Sequence, residues 1–303
     1  AIENSSDYSS FSRLFRNDNN GSFTDVTEAS GLINLLTEED GSQITFAQQG
    51  LKFGVSWGDF NNDGFPDILF THTLKIQLFI NLGNGTFADI TSFSGLPGTN
   101  DCLNTGATWL DYDNDGYLDI YFSEWNNCGS NSMYRNNGNS TFTNVTVALG
   151  LTEVESNLSY TPFPYDVNND GWVDLIVTND IEDANYLYIN QSGTSFIEDA
   201  ATYGLDNRID DMAITISDFD IDGDFDFFIT GIDENALLEN NGSNYYSEAS
   251  NSYGINATGW SWGREGEASS RSPASPRRRT RCSFRRSFRS RVAPPHSQLS
   301  TVL

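Results

Sequence analysis

The chain has 303 residues, of which 37% are hydrophobic and 13% aromatic, enough for one large domain or two ordinary ones, which excludes global disorder. Acidic residues outnumber basic ones by 42 to 16, a formal net charge of −26 that disfavours nucleic acid and anionic membranes and favours cations. No stretch approaches the ~20 consecutive apolar residues that a membrane-spanning helix needs.

The basic residues are concentrated at one end of the chain. Ten of the 16, all arginines, lie between Arg264 and the C-terminus, where only Glu265 and Glu267 oppose them. The first 263 residues therefore carry 6 basic and 40 acidic side chains, a net charge of −34, and the last 40 residues carry +8. This break predicts a folded acidic region over residues 1–263 and a poorly ordered, basic, low-complexity tail over residues 264–303.

Two motifs repeat along the acidic region. An Asp-rich segment of nine residues occurs four times, as DFNNDGFPD at 59–67, DYDNDGYLD at 111–119, DVNNDGWVD at 166–174 and DFDIDGDFD at 218–226. A second motif alternates with it, as LFRNDNNGSF from 14, LFINLGNGTF from 78, MYRNNGNSTF from 133, LYINQSGTSF from 187 and LLENNGSNYY from 237. Two interleaved motifs at intervals of 52, 55 and 52 residues predict one structural unit that is repeated along the chain.

Each unit predicts four short β-strands. In the first full unit these are GVSWGDF, DILFTHT, KIQLFIN and GTFADIT, which are rich in β-branched and aromatic residues and are bounded by Asn, Asp and Gly. The Asp-rich loop joins strands one and two, and NLGNG and its counterparts form the turn between strands three and four. Four strands at a period of about 50 residues are typical of a β-propeller blade, and helical periodicity is weak throughout.

The predicted fold is therefore an all-β propeller of four-stranded blades. Complete repeats are expected at about residues 50–100, 101–155, 156–207 and 208–257, with a partial unit at 11–49 and the start of another at 258–263. Four complete repeats plus partial ones predict an incomplete ring.

The Asp-rich loop has the composition of a cation site. Oxygen-bearing side chains occupy positions 1, 3, 5 and 9, and a glycine at position 6 supplies the positive φ that wraps the chain around one point. The carbonyl of position 7 can add a further ligand. An all-oxygen, carboxylate-rich shell with flexible geometry fits calcium better than magnesium. The predicted calcium ligands, about four sites, are Asp59, Asn61, Asp63, Phe65, Asp67, Asp111, Asp113, Asp115, Tyr117, Asp119, Asp166, Asn168, Asp170, Trp172, Asp174, Asp218, Asp220, Asp222, Asp224 and Asp226.

An EF-hand and a simple Asx turn are the two alternatives to this interpretation of the loops. An EF-hand needs a glutamate at position 12 and flanking helices, but position 12 is Phe70, Phe122, Val177 or Ile229 and the flanks are strand-like. Simple Asx turns would explain one loop, whereas four loops with the same donors favour a cation. Without a bound cation, the four carboxylates of the second loop would repel one another.

These loops resemble the FG-GAP or VCBS repeats of integrin-α-like β-propellers, through the pattern D-x-[DN]-x-D-G-x-x-D between the first two strands of each repeat. The interleaved motif is similar to that of extracellular proteins of the cartilage-acidic-protein type. The resemblance covers about residues 11–263. It implies a propeller, commonly seven-bladed, with calcium loops at its rim, in a secreted or cell-surface adhesion or binding module. This chain has fewer complete repeats than the usual ring.

The repeat stops at Arg264. The segment GWSWGR at 259–264 aligns with GVSWGD at 54–59, so Arg264 stands where the next loop should begin with Asp. One hypothesis is that residues 264–303 are a frameshifted reading of the next repeat, and the other is a genuine basic tail. Cys102 and Cys128 flank one repeat and can be a disulfide or two buried thiols, and Cys282 lies in the tail.

The leading functional hypothesis is a non-catalytic, calcium-stabilised binding or adhesion module that contacts a protein or carbohydrate ligand. The chain has two histidines, His72 and His296, and no Ser–His–acid set, zinc cluster or nucleotide-binding motif. The alternative is the propeller part of a carbohydrate-active enzyme such as a polysaccharide lyase, with Trp125, Trp172 and Tyr165 stacking on sugars rather than packing between blades. A scaffold segment without a ligand is a third possibility.

Overall fold

The computed structural model describes residues 13–32, 52–72, 76–98, 103–125, 131–152, 158–181, 183–232 and 234–256. The chain divides into two compact units, Ala1–Gly263 and Arg264–Leu303, and every described residue lies in the first. The predictions for Cys102, Cys128 and Cys282, for the strand at 258–263 and for the basic tail fall outside the described residues.

The described residues form one two-stranded and four four-stranded antiparallel sheets. The two-stranded sheet contains β1 (Phe15–Asn17) and β2 (Phe23–Asp25). The first four-stranded sheet contains β3 (Lys52–Gly58), β4 (Asp67–His72), β5 (Ile76–Asn81) and β6 (Phe87–Asp89). The second contains β7 (Asn104–Leu110), β8 (Asp119–Glu124), β9 (Ser132–Asn136) and β10 (Phe142–Asn144).

The third and fourth four-stranded sheets repeat this plan. The third contains β11 (Ser159–Tyr165), β12 (Asp174–Asn179), β13 (Tyr186–Asn190) and β14 (Phe196–Glu198). The fourth contains β15 (Asp211–Ser217), β16 (Asp226–Gly231), β17 (Asn235–Asn240) and β18 (Tyr246–Glu248). In each sheet the strands pair in sequence order, so every connection is a hairpin.

The same register brings each Asp-rich loop to the same edge of its sheet. The first and second strands end in the pairs Gly58↔Asp67, Leu110↔Asp119, Tyr165↔Asp174 and Ser217↔Asp226. Each first strand also carries a register shift near its beginning, a β-bulge that increases the local twist. The last residue of every loop is therefore the first residue of a second strand.

The hydrophobic core lies between consecutive sheets. The second strands β8 and β12 are buried along their whole length, and each contains three consecutive hydrophobic residues that enter the core. One cluster joins the first and second four-stranded sheets, with Phe60 and Leu69 packed among Trp109 and Phe122. Similar clusters join the second to the third sheet and the third to the fourth.

Consecutive sheets also meet at their first and fourth strands. The first strands β3, β7, β11 and β15 contact one another in that order. Two threonine hydroxyls bridge them, because Thr105 Oγ1 donates to the Ser159 carbonyl at 2.6 Å and Thr161 Oγ1 donates to the Met212 carbonyl at 2.9 Å. At the fourth strands, the Phe142 amide donates to the Ser94 carbonyl of the preceding unit at 2.7 Å.

The predicted all-β class and the repeated four-stranded units are confirmed. The described residues contain no closed sheet, so the propeller itself stays a prediction. The helical segments that the structure describes are single turns after fourth strands, at Thr91–Phe93, Ala200–Tyr203 and Ser250–Tyr253, and the sequence analysis did not predict them. No helix among the described residues is long and apolar enough to cross a membrane.

Candidate metal centre

The four Asp-rich loops connect first to second strands, as predicted, and both flanks of each loop are strands rather than EF-hand helices. In the first loop the Asp59 carboxylate accepts the Asp63 amide at 3.1 Å and the Gly64 amide at 2.9 Å. The Asp63 amide also donates to Asn61 Oδ1 at 3.0 Å, and Asp63 Oδ1 accepts the Phe65 amide at 2.9 Å. The chain therefore wraps around the side chains of positions 1, 3 and 5. Asx turns make bonds of the same kind, so these contacts do not separate the two interpretations.

The backbone of each loop is left-handed at two positions. The glycine at position 6 has the predicted positive φ, with values of 88° at Gly64, 89° at Gly116, 88° at Gly171 and 101° at Gly223. Position 4 is left-handed as well, which the sequence analysis missed. The residues are Asn62, Asn114, Asn169 and Ile221. Asparagine is the commonest non-glycine residue in this conformation, so its recurrence was a usable signal.

Carboxylates converge in the second and fourth loops. Oxygen atoms of Asp111, Asp113 and Asp115 lie within 4.8 Å of one another, and so do those of Asp218, Asp220 and Asp222. In the first and third loops position 3 is asparagine, which also offers an oxygen. Asp113 Oδ1 is buried without a hydrogen-bond partner. An all-oxygen set that includes an orphaned buried carboxylate oxygen fits a hard cation such as calcium.

The position 9 aspartates serve as anchors for the loop backbone. Asp119 is fully buried, and its two oxygens accept the Asn136 amide at 2.7 Å and the Tyr112 amide at 3.2 Å. The other three make the same pair of bonds: Asp67, Asp174 and Asp226. The converging trios contain positions 1, 3 and 5 but not position 9. Direct ligation by position 9 stays a prediction.

Burial raises the pKa of three of these aspartates. It raises the pKa of Asp119 to about 7, against the lowering effect of the two amide bonds, and the charges of Asp113 and Asp115 raise the pKa further. Burial likewise raises the pKa of Asp67 and of Asp174 to about 6. Because a nearby cation favours the charged form of a carboxylate, the loops provide an environment that a bound cation would stabilise.

The aromatic side chains at position 7 lie against the glycine of the turn between strands three and four. A Cβ atom on Gly83 would lie 2.7 Å from the Phe65 ring, and one on Gly193 would lie 2.8 Å from the Trp172 ring. Tyr117 is placed in the same way against Gly138. The position 7 side chain thus packs on the turn of its own sheet, and ligation by its carbonyl stays a prediction.

Arg135 is a member of the second site that the sequence analysis missed. Its Nε donates to Asp113 Oδ2 at 2.7 Å and its Nη2 donates to Asp115 Oδ2 at 2.9 Å. Arg135 lies on strand three, 20 residues from Asp115. The sequence contained a clue to this role, because Arg135 is one of only 6 basic residues among the first 263.

The last residue of strand three is a second missed feature. It is asparagine in every complete unit, as Asn81, Asn136, Asn190 and Asn240. The Asn136 side chain donates to the Leu118 carbonyl of its own loop at 3.0 Å and to the Phe60 carbonyl of the preceding loop at 2.8 Å. The loops are thus tied to one another across the sheets, and the repeated asparagine in the second motif was the signal.

The three aromatic residues considered for sugar stacking take part in packing. Trp125 Nε1 donates to Asp180 Oδ2 at 2.9 Å, across to the next sheet. Tyr165 meets the Phe227 ring of the next sheet edge-on, with centroids 5.7 Å apart. Trp172 lies against the turn glycine described above. His72 is the last residue of its second strand.

Comparison with known protein families gives one match. The model of the FG-GAP-like repeat matches residues 4–70, 59–122, 111–177 and 166–229. The last three stretches each begin at the first aspartate of one loop and end at position 12 of the next loop. Together the matches cover about three quarters of the chain. No curated protein shows significant similarity in sequence.

Comparison with solved structures gives distant similarities. An Agrocybe aegerita lectin that recognises non-reducing terminal N-acetylglucosamine is 18% identical with a TM-score of 0.42, over 78% of this chain and 59% of the lectin. The V. cholerae biofilm matrix protein Bap1 is 16% identical with a TM-score of 0.37, over 65% of this chain and 30% of Bap1. The chain thus spans less than two thirds of the length of either protein.

Proposed function

Because the chain belongs to the FG-GAP-like repeat family, we propose that it is a calcium-stabilised binding module of the cell exterior, in which each Asp-rich loop holds one calcium ion. The observation that carries the proposal is the convergence of carboxylate oxygens at positions 1, 3 and 5, within 4.8 Å in the second and fourth loops. A bound divalent cation would relieve the mutual repulsion of these carboxylates and would satisfy the orphaned Asp113 Oδ1.

Calcium has a structural role in this proposal. Positions 1, 3 and 5 and the carbonyl of position 7 would hold the ion, and position 9 would complete the shell from the start of the second strand. Because one loop joins the first two strands of a sheet, an ion held there fastens these strands together. The loop amides that already donate to positions 1 and 5 preorganise the site, so that little backbone ordering remains for the ion to induce.

The sheets are proposed to be blades of a β-propeller. This part of the proposal is supported by the side-by-side arrangement of β3, β7, β11 and β15, since neighbouring first strands line the centre of a propeller. In three of the four complete sheets an amide of the fourth strand bonds to the preceding unit, as in Phe142 to Ser94, which supports the same arrangement at the outer edge.

The module is proposed to act by binding a protein or a carbohydrate, without catalysis, in a secreted or cell-surface protein. The acidic side chains recur with the same spacing in all four units, and a catalytic pair would not need to recur. The net charge of −34 over residues 1–263 argues against a nucleic-acid partner for this region. Glycan-array binding without activity in a lyase assay is the expected outcome if the ligand is a carbohydrate, and lyase activity would contradict the non-catalytic role.

Calcium dependence is tested by thermal unfolding of the full chain with calcium and with chelator. Extracellular calcium modules have Kd values of roughly 0.1–1 mM. At ~1 mM calcium, one site then contributes about 0.4–1.4 kcal/mol, and four independent sites contribute roughly 2–6 kcal/mol. We expect chelation to lower the melting temperature by roughly 5–20 °C. Magnesium at the same ionic strength is the control and should restore little. Coincident melting curves with calcium and chelator would refute the metal assignment.

A further inference from the structure

We propose that Arg135 is a built-in counter-charge for the second Asp-rich loop, and that the fourth loop, which has no such partner among the residues that the structure describes, is the one that depends most on a bound cation. The first half of the proposal concerns the charges of the protein alone. The second half rests on the proposed calcium function.

In the first and third loops, the asparagine at position 3 donates a hydrogen bond to the aspartate carboxylate at position 5. Asn61 Nδ2 donates to Asp63 Oδ2 at 2.9 Å, and Asn168 Nδ2 donates to Asp170 Oδ2 at 3.0 Å. The outer oxygen of the position 5 carboxylate therefore has a donor that belongs to the loop itself. Each of these loops carries three aspartates.

In the second loop, position 3 is Asp113, which adds a negative charge and has no amide to donate. Arg135 replaces the missing donor from strand three, with 2.7 Å to Asp113 Oδ2 and 2.9 Å to Asp115 Oδ2. The two carboxylates are only 15% and 28% exposed, so the interaction is partly shielded from water, while Arg135 is 42% exposed. One guanidinium that bridges two carboxylates uses the forked geometry that a lysine ammonium lacks. Asp113 Oδ1 stays free for a cation.

The charge count shows what Arg135 achieves. The second loop has four aspartates, so Arg135 brings its formal charge to −3, equal to that of the first and third loops. The fourth loop has five aspartates, a net charge of −5. The residue before the last asparagine of strand three is Ile80, Arg135, Ile189 and Glu239 in the four sheets. The position of Arg135 thus holds a further acid in the fourth sheet.

Substitution of Arg135 by isoleucine tests the counter-charge, because isoleucine is the natural residue at the equivalent positions 80 and 189. In chelator we expect R135I to lower the melting temperature of the full chain by about 2–4 °C. In saturating calcium we expect the loss to be smaller, since the ion takes over the neutralisation. Equal losses in chelator and in calcium would show a packing role and would overturn the proposal, as would no loss in chelator.

The double variant R135I/D113N provides the rescue. It gives the second loop the asparagine at position 3 and the isoleucine on strand three that the first and third loops have naturally. We expect it to regain most of the stability that R135I loses in chelator. A double variant no more stable than R135I would overturn the proposal. Arg16→Ile is the matched control, because the exposed Arg16 forms an ion pair with Asp18, a residue that belongs to none of the four loops.

Asp220→Asn tests the fourth loop. This substitution reduces the formal charge of the loop to −4 and keeps an oxygen at position 3. We therefore expect it to raise the melting temperature in chelator. The difference between the melting temperatures in calcium and in chelator should become smaller. Amide hydrogen exchange in chelator should be faster at Asp222 in the fourth loop than at Asp115 in the second. If this difference in melting temperature is unchanged and the Asp222 and Asp115 amides exchange at equal rates, the fourth loop does not depend more on a cation than the second.

The failure of this proposal is distinguishable from the failure of the calcium function. If wild-type melts coincide with calcium and chelator, the calcium function is wrong, yet the loss in R135I and its rescue by D113N are still decided in chelator. If the wild-type melts differ but R135I shows no loss in chelator, calcium binding stands and the counter-charge role of Arg135 is wrong.

Discussion

At the scale of single residues, position 4 of the Asp-rich loops shows one residue that does not suit its backbone. Asn62 and Asn114 have φ values of 59° and 54°, and their side chains donate to the glycine carbonyl of the following loop at 2.8 and 3.3 Å. Ile221 has the equivalent φ of 65° and is 87% exposed. A β-branched side chain in left-handed backbone is strained, and this one gains little from burial.

We therefore expect Ile221→Asn to stabilise the protein by about 1 kcal/mol, because asparagine tolerates the left-handed conformation. Urea unfolding in calcium is the measurement. The matched control is Ile197→Asn, since Ile197 is 55% exposed on the regular strand β14, where asparagine is disfavoured. Ile197→Asn should be neutral or destabilising. A shift in the same direction and of the same size for both variants would contradict the role of the backbone.

At the scale of secondary-structure elements, strand three holds two loops in place. Asn136 is 1% exposed, its amide donates to Asp119, and its side chain donates to the carbonyls of Leu118 and Phe60. The bond to Phe60 reaches the loop of the preceding sheet. Asn190 repeats this arrangement with Tyr112 of the preceding loop at 2.9 Å. The described side-chain donation of Asn81 goes to Pro66, within its own sheet.

Asn136→Ala should therefore cost more than Asn81→Ala. Loss of Asn136 leaves two carbonyls without their donor, one of them between sheets, for which we expect a loss of about 2–4 kcal/mol in the free energy of unfolding. Asn81 is partly exposed, so water can replace its amide, and we expect a loss of about 1 kcal/mol. Denaturant unfolding of both variants is the measurement. Equal losses in the free energy of unfolding would show that the hydrogen bond from Asn136 to Phe60 does not contribute to stability.

At the scale of the whole molecule, each sheet is covered by the sheet that follows it. Phe60 at position 2 of the first loop is fully buried and stacks on Trp109 of the next sheet, with ring centroids 5.9 Å apart. Tyr112 and Val167 are buried in the same way. Among the described residues no sheet follows the fourth, and Phe219 at this position is 44% exposed beside Tyr253, in the helical turn that follows the last strand.

The same substitution should thus have different costs at the two ends. Phe60→Ala empties a site between two sheets, and we expect it to cost about 3–5 kcal/mol. Phe219→Ala removes a half-exposed ring from the face of the last described sheet, and we expect about 1 kcal/mol. Both losses are read from urea unfolding in calcium. A comparable loss at Phe219 would mean that this ring is covered in solution, in conflict with its exposure.

The sequence by itself determined the repeating unit and its strands. It also determined the position of each Asp-rich loop between strands one and two and the left-handed glycine at position 6. These features depend on local rules: alternation along a strand, turn chemistry over a few residues, and a period that four copies make unambiguous. For the same reason the oxygen donors at positions 1, 3 and 5 were identified without the structure. Their neighbours within a loop are near in sequence as well as in space.

The tertiary structure alone decided which charges and amides reach these loops from elsewhere. Arg135 contacts Asp113 from 22 residues away, and Asn136 contacts Phe60 from 76 residues away. Both contacts depend on where strand three lies relative to a loop, and a repeat pattern does not encode this distance. The burial of Asp119 and the exposure of Phe219 have the same origin, because burial depends on whether another sheet packs over the site. Local chemistry therefore predicts the cation loops, and packing between sheets decides how each is anchored and how much of its charge is balanced.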